Sequence, residues 1–270
     1  MSKPSQPPLV PRDGWHAMHL FYQIDHAQWA LFSDEEMRQA KTRLTGLVQE
    51  IRATPDTHLV IFAIVTPKAD LGFLLLTPDL HVANTFEKQL TLSLGPEILN
   101  PVYSYLSLTE NSESGPGHES SSANNAAPPA PKGLGAGPPE AGIRVSHGLK
   151  QHLYPALPDW PLICFYPMSK RRRGNDNWYL LDCEARRSLL ARQALVEHAY
   201  SGRVVQLVTG STGLDEYEWA VTLLAKDSHD IKAIVSEMRF DEVCARYTEF
   251  GDFYIGMQLP LDVLFRRLCL

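Results

Sequence analysis

The sequence predicts an α+β fold in which one β-α-β-β-α-β pattern is used twice. Three observations carry this. The same order of apolar runs, caps and turns recurs in two stretches of about 110 residues. A segment from Asn111 to Ala141, built of Ser, Gly, Pro, Ala and Asn with almost no large apolar residue, separates them. The 270-residue chain is 44% hydrophobic and 21% charged, near globular averages, so it can bury a real core.

In the first stretch, Trp15 to Ile24 reads as a strand. Ser33-Asp34-Glu35-Glu36 has the S-x-x-E spacing of a capping box, in which the Ser side chain and the Glu side chain each satisfy a free backbone N–H, and a helix runs from it toward Arg52. His58 to Val65 is a β-branched run, Pro67 to Asp70 a turn and Leu71 to Leu76 a second strand, which together make a hairpin. A helix from about Asp79 to Leu92 and a strand from Val102 to Leu108 complete the pattern.

The second stretch repeats it: strand Leu162 to Met168, helix about Cys183 to Tyr200, strand Val204 to Thr209, turn Gly210 to Asp215, strand Tyr217 to Leu224, helix about Ser228 to Arg246 and strand Phe253 to Met257. Such a β-α-β-β-α-β unit is ferredoxin-like, an antiparallel sheet with two helices on one face. Two ferredoxin-like repeats in one chain can close against each other as a dimeric α+β-barrel-type subunit. The predicted organisation is therefore a disordered N-terminus over 1–12, a ferredoxin-like domain over 13–110, a flexible linker over 111–147, a second ferredoxin-like, ligand-binding domain over 148–258 and an unassigned tail over 259–270.

Composition excludes several functions. A net charge of −6 argues against a nucleic-acid partner, whose phosphates need clustered Lys and Arg. Cys164, Cys183, Cys244 and Cys269 are scattered without a C-x-x-C pair, so they read as reduced thiols. Met1 to Arg12 has no apolar core, and no run approaches the ~20 apolar residues of a membrane span, which points to a cytoplasmic protein. His16, His19, His26, His58 and His81 lack metal-ligand spacing, and Gly210 to Gly213 lies between strands, as a hairpin turn rather than a phosphate loop.

The chemically richest stretch is Cys164-Phe165-Tyr166-Pro167-Met168-Ser169-Lys170-Arg171-Arg172-Arg173, followed by Asn177-Trp178-Tyr179. Tyr166 and Met168 are two apart on a strand and share a face, which Lys170 extends if the strand continues past Pro167. Pro167 predicts an edge or a bulge. A phenol, a thioether and a cation along one wall suit a small anionic ligand. Gln206 shares a face with Val204 and Val208, a polar group among apolar neighbours.

Three further segments extend this stretch: Thr209-Gly210-Ser211-Thr212-Gly213-Leu214-Asp215, Glu237-Met238-Arg239-Phe240-Asp241-Glu242 and Ser104-Tyr105-Leu106-Ser107. With these motifs in this order, the chain resembles the coproheme decarboxylases of the chlorite-dismutase superfamily. The resemblance is close over most of Leu149 to Gly256. It implies two ferredoxin-like repeats per subunit, a homopentamer, and peroxide-dependent oxidative decarboxylation of Fe-coproporphyrin III (coproheme) to haem b. The iron porphyrin would be both substrate and redox centre, hydrogen peroxide the oxidant and a coproporphyrin ferrochelatase a partner. Tyr166 would form the radical that takes a hydrogen atom from a propionate, with Lys170 beside it. Charge-assisted hydrogen bonds hold carboxylates well, and the propionate and pocket contacts would come from Lys170, Tyr105, Ser107, His152, Pro167, Met168, Ser169, Gln206, Arg239 and Cys244. Gln206 matches a distal Gln, where chlorite dismutases proper carry Arg.

The chain departs from that family at three positions. Gln193 stands where the family has its axial His, His152 where it has a propionate-binding Arg, and Cys244 where it has a Ser. His198, five residues on and about 140° around the helix, is the nearest imidazole. Ligation by His198, ligation by the Gln193 amide, which is a poor iron ligand, a weakly or water-ligated iron, and loss of iron binding all stay open. Besides the decarboxylase, the sequence admits a catalytically silent porphyrin carrier and a weak haem peroxidase.

Overall fold

The computed structural model describes residues 7–110 and 152–270. The predicted linker, 111–147, lies outside the described residues. The strands are β1 (His16–Ile24), β2 (His58–Ile64), β3 (Leu71–Thr77), β4 (Leu99–Thr109), β5 (Leu162–Lys170), β6 (Val204–Gly210), β7 (Trp219–Ala225), β8 (Thr248–Phe250) and β9 (Tyr254–Gln258). The helices are α1 (His26–Trp29), α2 (Asp34–Ala53), α3 (Leu80–Leu92), α4 (Cys183–Ala199), α5 (Ser228–Met238), α6 (Glu242–Tyr247) and α7 (Leu261–Arg267).

All strand pairs are antiparallel. The order β7-β6-β4-β1-β3-β2-β9-β5 closes on itself because β5 also pairs with β7, and β8 extends β5 at its Lys170 end. Each repeat thus has its fourth strand beside its first, then its third, then its second: β4-β1-β3-β2 and β9-β5-β7-β6. The repeats join at two short seams. Leu108 and Thr109 meet Gly210 and Thr209, and Phe62 to Ile64 meet Gln258 to Gly256. The mixed α+β class and the antiparallel sheet are those expected.

Closure divides every strand's side chains between inside and outside, since neighbours point to opposite faces. Along β5, Ile163 and Phe165 join an interior cluster with Phe21, Phe62, Leu74, Leu207 and Tyr254 from both repeats. Cys164, Tyr166 and Met168 face outward, against α5. The interior is aromatic, with the Phe21 ring 4.2 Å from Tyr254 and 5.3 Å from Phe165. His19 is wholly buried there. Its Nε2 lies 2.8 Å from Thr222 Oγ1, and burial lowers its pKa to about 3, so the imidazole is neutral.

Local chemistry explains the helix starts. Ser33 and Glu36 form the expected capping box, with both reciprocal bonds. Asp79 and Asp227 cap α3 and α5 alike, each carboxylate accepting from a His N–H two residues on, His81 and His229.

Two expectations need correction, and the unassigned tail gains an element. The helix expected from Ser228 to Arg246 is two, because Asp241 accepts from Val243 N–H and starts α6 after a break. The tail contains α7, whose Leu264 and Phe265 pack on the first repeat's core. Finally, β5 is no edge strand: β7 lies along one side and β9 then β8 along the other. Pro167 sits where β9 gives way to β8, so its missing N–H leaves no acceptor unpaired, while its carbonyl accepts from Gly251.

Candidate functional site

The outer face of the second repeat carries a polar cluster between the sheet and α4 to α6. The strand does continue past Pro167, so Tyr166, Met168 and Lys170 share that face. Tyr166 is 1% exposed. Its ring stacks on Phe253 at 4.4 Å and lies 5.7 Å from Phe250. Burial pushes its phenol well above the ordinary range, so the O–H is kept.

Lys170 is a buried cation. Its Nζ donates to Thr248 Oγ1 at 3.0 Å and sits 5.0 Å from the centre of the Trp178 ring. Burial lowers its pKa to about 8, against the opposing pull of Cys244, Asp241, Glu218 and Glu197. Cys244 is buried on α6, and its thiol is pushed up by burial.

Gln193 is the one buried residue of α4, and its Nε2 donates to Glu197 Oε1 at 3.2 Å. Gln206 Nε2 reaches the same oxygen from β6 at 3.3 Å. Glu197 thus ties α4 to the sheet, and its carboxyl is pushed up, chiefly by burial. The carbonyl oxygens Gln193 Oε1 and Gln206 Oε1 are buried without a hydrogen-bond partner among the described residues.

The structure brings Tyr166, Met168, Lys170, Gln193, Gln206 and Cys244 to one face but separates the other expected residues from it. Tyr105 and Ser107 point into the barrel, because β4 is in register to send them there: Tyr105 donates to the Tyr217 carbonyl, and Ser107 Oγ bonds Thr209 Oγ1. Ser169 and Pro167 are likewise on the opposite face of β5, the Ser169 Oγ accepting from Glu218 N–H and the Pro167 ring lying beside Gly251. His152 is exposed. Arg239 is exposed at the end of α5, its guanidinium 5.6 Å from the centre of the Phe250 ring, at the rim. His198 is exposed, since Gln193 and Glu197, four apart on α4, take the side facing the sheet.

Sequence reasoning missed Glu197 and Phe253. The i, i+4 spacing from Gln193 was a signal for the first. The second sits in a loop whose path depends on the first repeat: Lys68 Nζ pairs with Asp252 at 3.2 Å and lies 3.4 Å from the Phe253 carbonyl. Chemically, the cluster offers one oxidisable phenol, one buried cation and a carboxylate with two amides, walled by aromatic rings.

Residues 37–259 match the family described as chlorite dismutase. A haem-binding protein from Thermus thermophilus is 35% identical, with 98% of each chain covered and a TM-score of 0.79. A mutant chlorite dismutase from Candidatus Nitrospira defluvii is 17% identical over 96% of this chain and 97% of its own, with a TM-score of 0.71. A putative chlorite dismutase is 16% identical over 93% of this chain and 97% of its own, with a TM-score of 0.70.

Proposed function

The chain belongs to the chlorite dismutase family, and from that premise we propose that it binds an iron porphyrin on the outer face of the second repeat and oxidatively decarboxylates Fe-coproporphyrin III with hydrogen peroxide. The observation that carries this is Tyr166 with Lys170 on one face of β5, a face shared with Gln206 of β6 and covered by α4 and α5. The haem-binding relative, alike over nearly its whole length, supports the porphyrin.

The residues suit such a ligand in two respects. Gln193 Oε1 and Gln206 Oε1 are buried polar atoms that the described residues do not satisfy, so the face has polar capacity to spare. Tyr166, Met168, Phe250 and Phe253 provide apolar and aromatic surface for a flat macrocycle. When bound, the iron porphyrin would supply the oxidising power drawn from peroxide and, as substrate, the propionates to be lost.

The chain's residues then divide the work. Tyr166, kept as a neutral phenol by burial, can give up its hydroxyl hydrogen to the peroxide-derived oxidant and, as the radical, take one from a propionate side chain; loss of a second electron to the same two-electron oxidant then releases carbon dioxide and leaves a vinyl group, the peroxide ending as water. Lys170 can hold a propionate close to it, and Arg239 at the rim can hold another. Gln206 can donate or accept at the same face without adding charge. Phe253, stacked on Tyr166, must turn aside to admit the ligand.

The test is direct. Ferric coproporphyrin III is added to the full chain, the absorption spectrum recorded, and peroxide titrated while mass spectrometry follows loss of one and two carbon dioxide units. Stepwise loss is expected, and Tyr166→Phe should abolish it while leaving binding within about twofold; undiminished turnover would remove Tyr166 from the mechanism. Binding without mass loss would leave the second reading, a silent porphyrin carrier, which the amide at Gln193 and the sealing of Tyr166 by Phe253 favour. A homopentamer and delivery of substrate by a coproporphyrin ferrochelatase belong to the same proposal; light scattering and a pull-down with that enzyme test them. No helix among the described residues is long and apolar enough to cross a membrane.

A further inference from the structure

Glu218, the residue before β7, is a buried acid that the chemistry proposed above leaves unused. It is 4% exposed, and its side chain takes its donors from the segment that begins at Lys170. Oε2 accepts from the Lys170 N–H at 2.8 Å, and Oε1 accepts from the Arg172 guanidinium and the Tyr179 hydroxyl. Between those donors the chain folds back on itself: the Trp178 N–H donates to the Arg171 carbonyl at 3.0 Å, and the Trp178 ring centre lies 5.0 Å from Lys170 Nζ. One carboxyl group therefore clips both ends of the turn that lays Trp178 over the ammonium. Thr248, opposite Lys170 on β8, accepts from the same ammonium at 3.0 Å. Burying an acid is unfavourable unless its oxygens are paired, and here both are. What the pairing secures is a single position for a lysine side chain that is long and flexible in water.

We propose that Glu218 is a positioning residue for Lys170: by closing the 170–179 turn it keeps Trp178 against the ammonium, and the ammonium on the Tyr166 face where it meets a propionate. This rests on the iron-porphyrin reading above. Glu218 acts through Lys170 and takes no part in the chemistry itself. Without it, Arg172 and Tyr179 lose their common acceptor, the turn is free to lift with Trp178, and Lys170 gains access to water. A propionate would then meet a hydrated, wandering cation instead of a fixed one.

The ligand-free full chain is treated with N-hydroxysuccinimidyl acetate, and acetylation of each Lys is followed by peptide mass spectrometry. Lys170, 7% exposed, should be protected in the wild type. Glu218→Gln keeps the shape and one acceptor but gives up the ion pair with Arg172. It should speed Lys170 acetylation at least about fivefold and leave the exposed Lys226 within about twofold. Tyr179→Phe, which unties only the far end of the turn, should give an intermediate rate. With ferric coproporphyrin III and peroxide, Glu218→Gln should lose carbon dioxide at least about tenfold more slowly at saturating substrate, with affinity within about threefold. Lys170→Met and the double variant Lys170→Met/Glu218→Gln should be equally slow, because one residue acts through the other. Wild-type protection of Lys170 in Glu218→Gln overturns the inference, as does a double variant slower than Lys170→Met. If Glu218→Gln does not fold, wild-type protection in Tyr179→Phe overturns it instead. A wild-type chain that loses no carbon dioxide defeats the functional reading, whereas acetylation still decides whether Glu218 holds Lys170.

Discussion

The two repeats share strand order but differ in how their first helices meet the sheet. In the first repeat, α2 buries Ala40, Leu44, Val48 and Ile51, a continuous apolar stripe. Its counterpart, α4, buries only Gln193 and leaves Leu190 and Leu195 exposed. The second helices match instead: α3 buries Ala83, Phe86 and Leu90, and α5 buries Ile231, Ile234 and Met238, with identical spacing. One helix out of these four has therefore given up its apolar seat for polar contacts with the sheet. Lifting that helix would expose less apolar surface than lifting any of the other three.

The contrast can be broken most forcefully by truncating both helices. Leu44→Ala should cost about 2–5 kcal/mol, as fully buried Leu truncations do. Leu195→Ala should stay within about 0.5 kcal/mol. Urea unfolding measures both, and equal costs would mean that α4 is docked as firmly as α2.

The buried cation is the next largest difference, since the first repeat's outer face has no counterpart among the described residues. Lys170 titrates near 8 in the folded chain and at its ordinary 10.5 when unfolded. Between those values the unfolded state binds more protons, so Lys170's contribution to stability rises with pH, by roughly 3 kcal/mol across the window. It is constant below pH 8. Lys170→Met should remove this rise, seen by comparing unfolding midpoints of the two proteins from pH 7 to 10.5.

The smallest effect concerns the caps. Ser33→Ala should cost about 1 kcal/mol of global stability by removing the capping box of a docked helix. Asp182→Ala at the start of α4 should show mainly as faster amide exchange within that helix, with little change in the global midpoint. A full-sized loss from Asp182→Ala would show that α4 unfolds with the rest.

Much of this was legible in the sequence because it is periodic. The capping box at Ser33 and Glu36, the hairpin at Pro67 to Asp70 and the stripe of α5 each rest on local spacing. What was not legible depends on neighbours. Pro167 predicts an edge or a bulge, yet a strand flanked by two successive partners can tolerate a missing N–H at their junction. Tyr105 and Ser107 lie on a strand whose alternation says that they share a face but not which face; closure sends them inward. Asp241 resembled a mid-helix residue until its carboxylate was seen capping α6. At the site, Tyr166, Met168 and Lys170 follow from period two, whereas Glu197 acquires meaning only when Gln206 arrives from another strand.

The filled barrel has a kinetic consequence. Phe21, Phe62, Phe165 and Tyr254 lock the sheet from within, and His19 bonds across it to Thr222, so the wall behind Tyr166 cannot yield. Room for a planar ligand must come from the helical side, by lifting α4 and turning Phe253 outward. On the proposed porphyrin reading, uptake is gated rather than diffusive: in stopped-flow mixing, the observed rate should level off at high porphyrin concentration, at the opening rate of α4. Loosening the Lys68–Asp252 pair, a tether anchored in the opposite repeat, should raise that plateau.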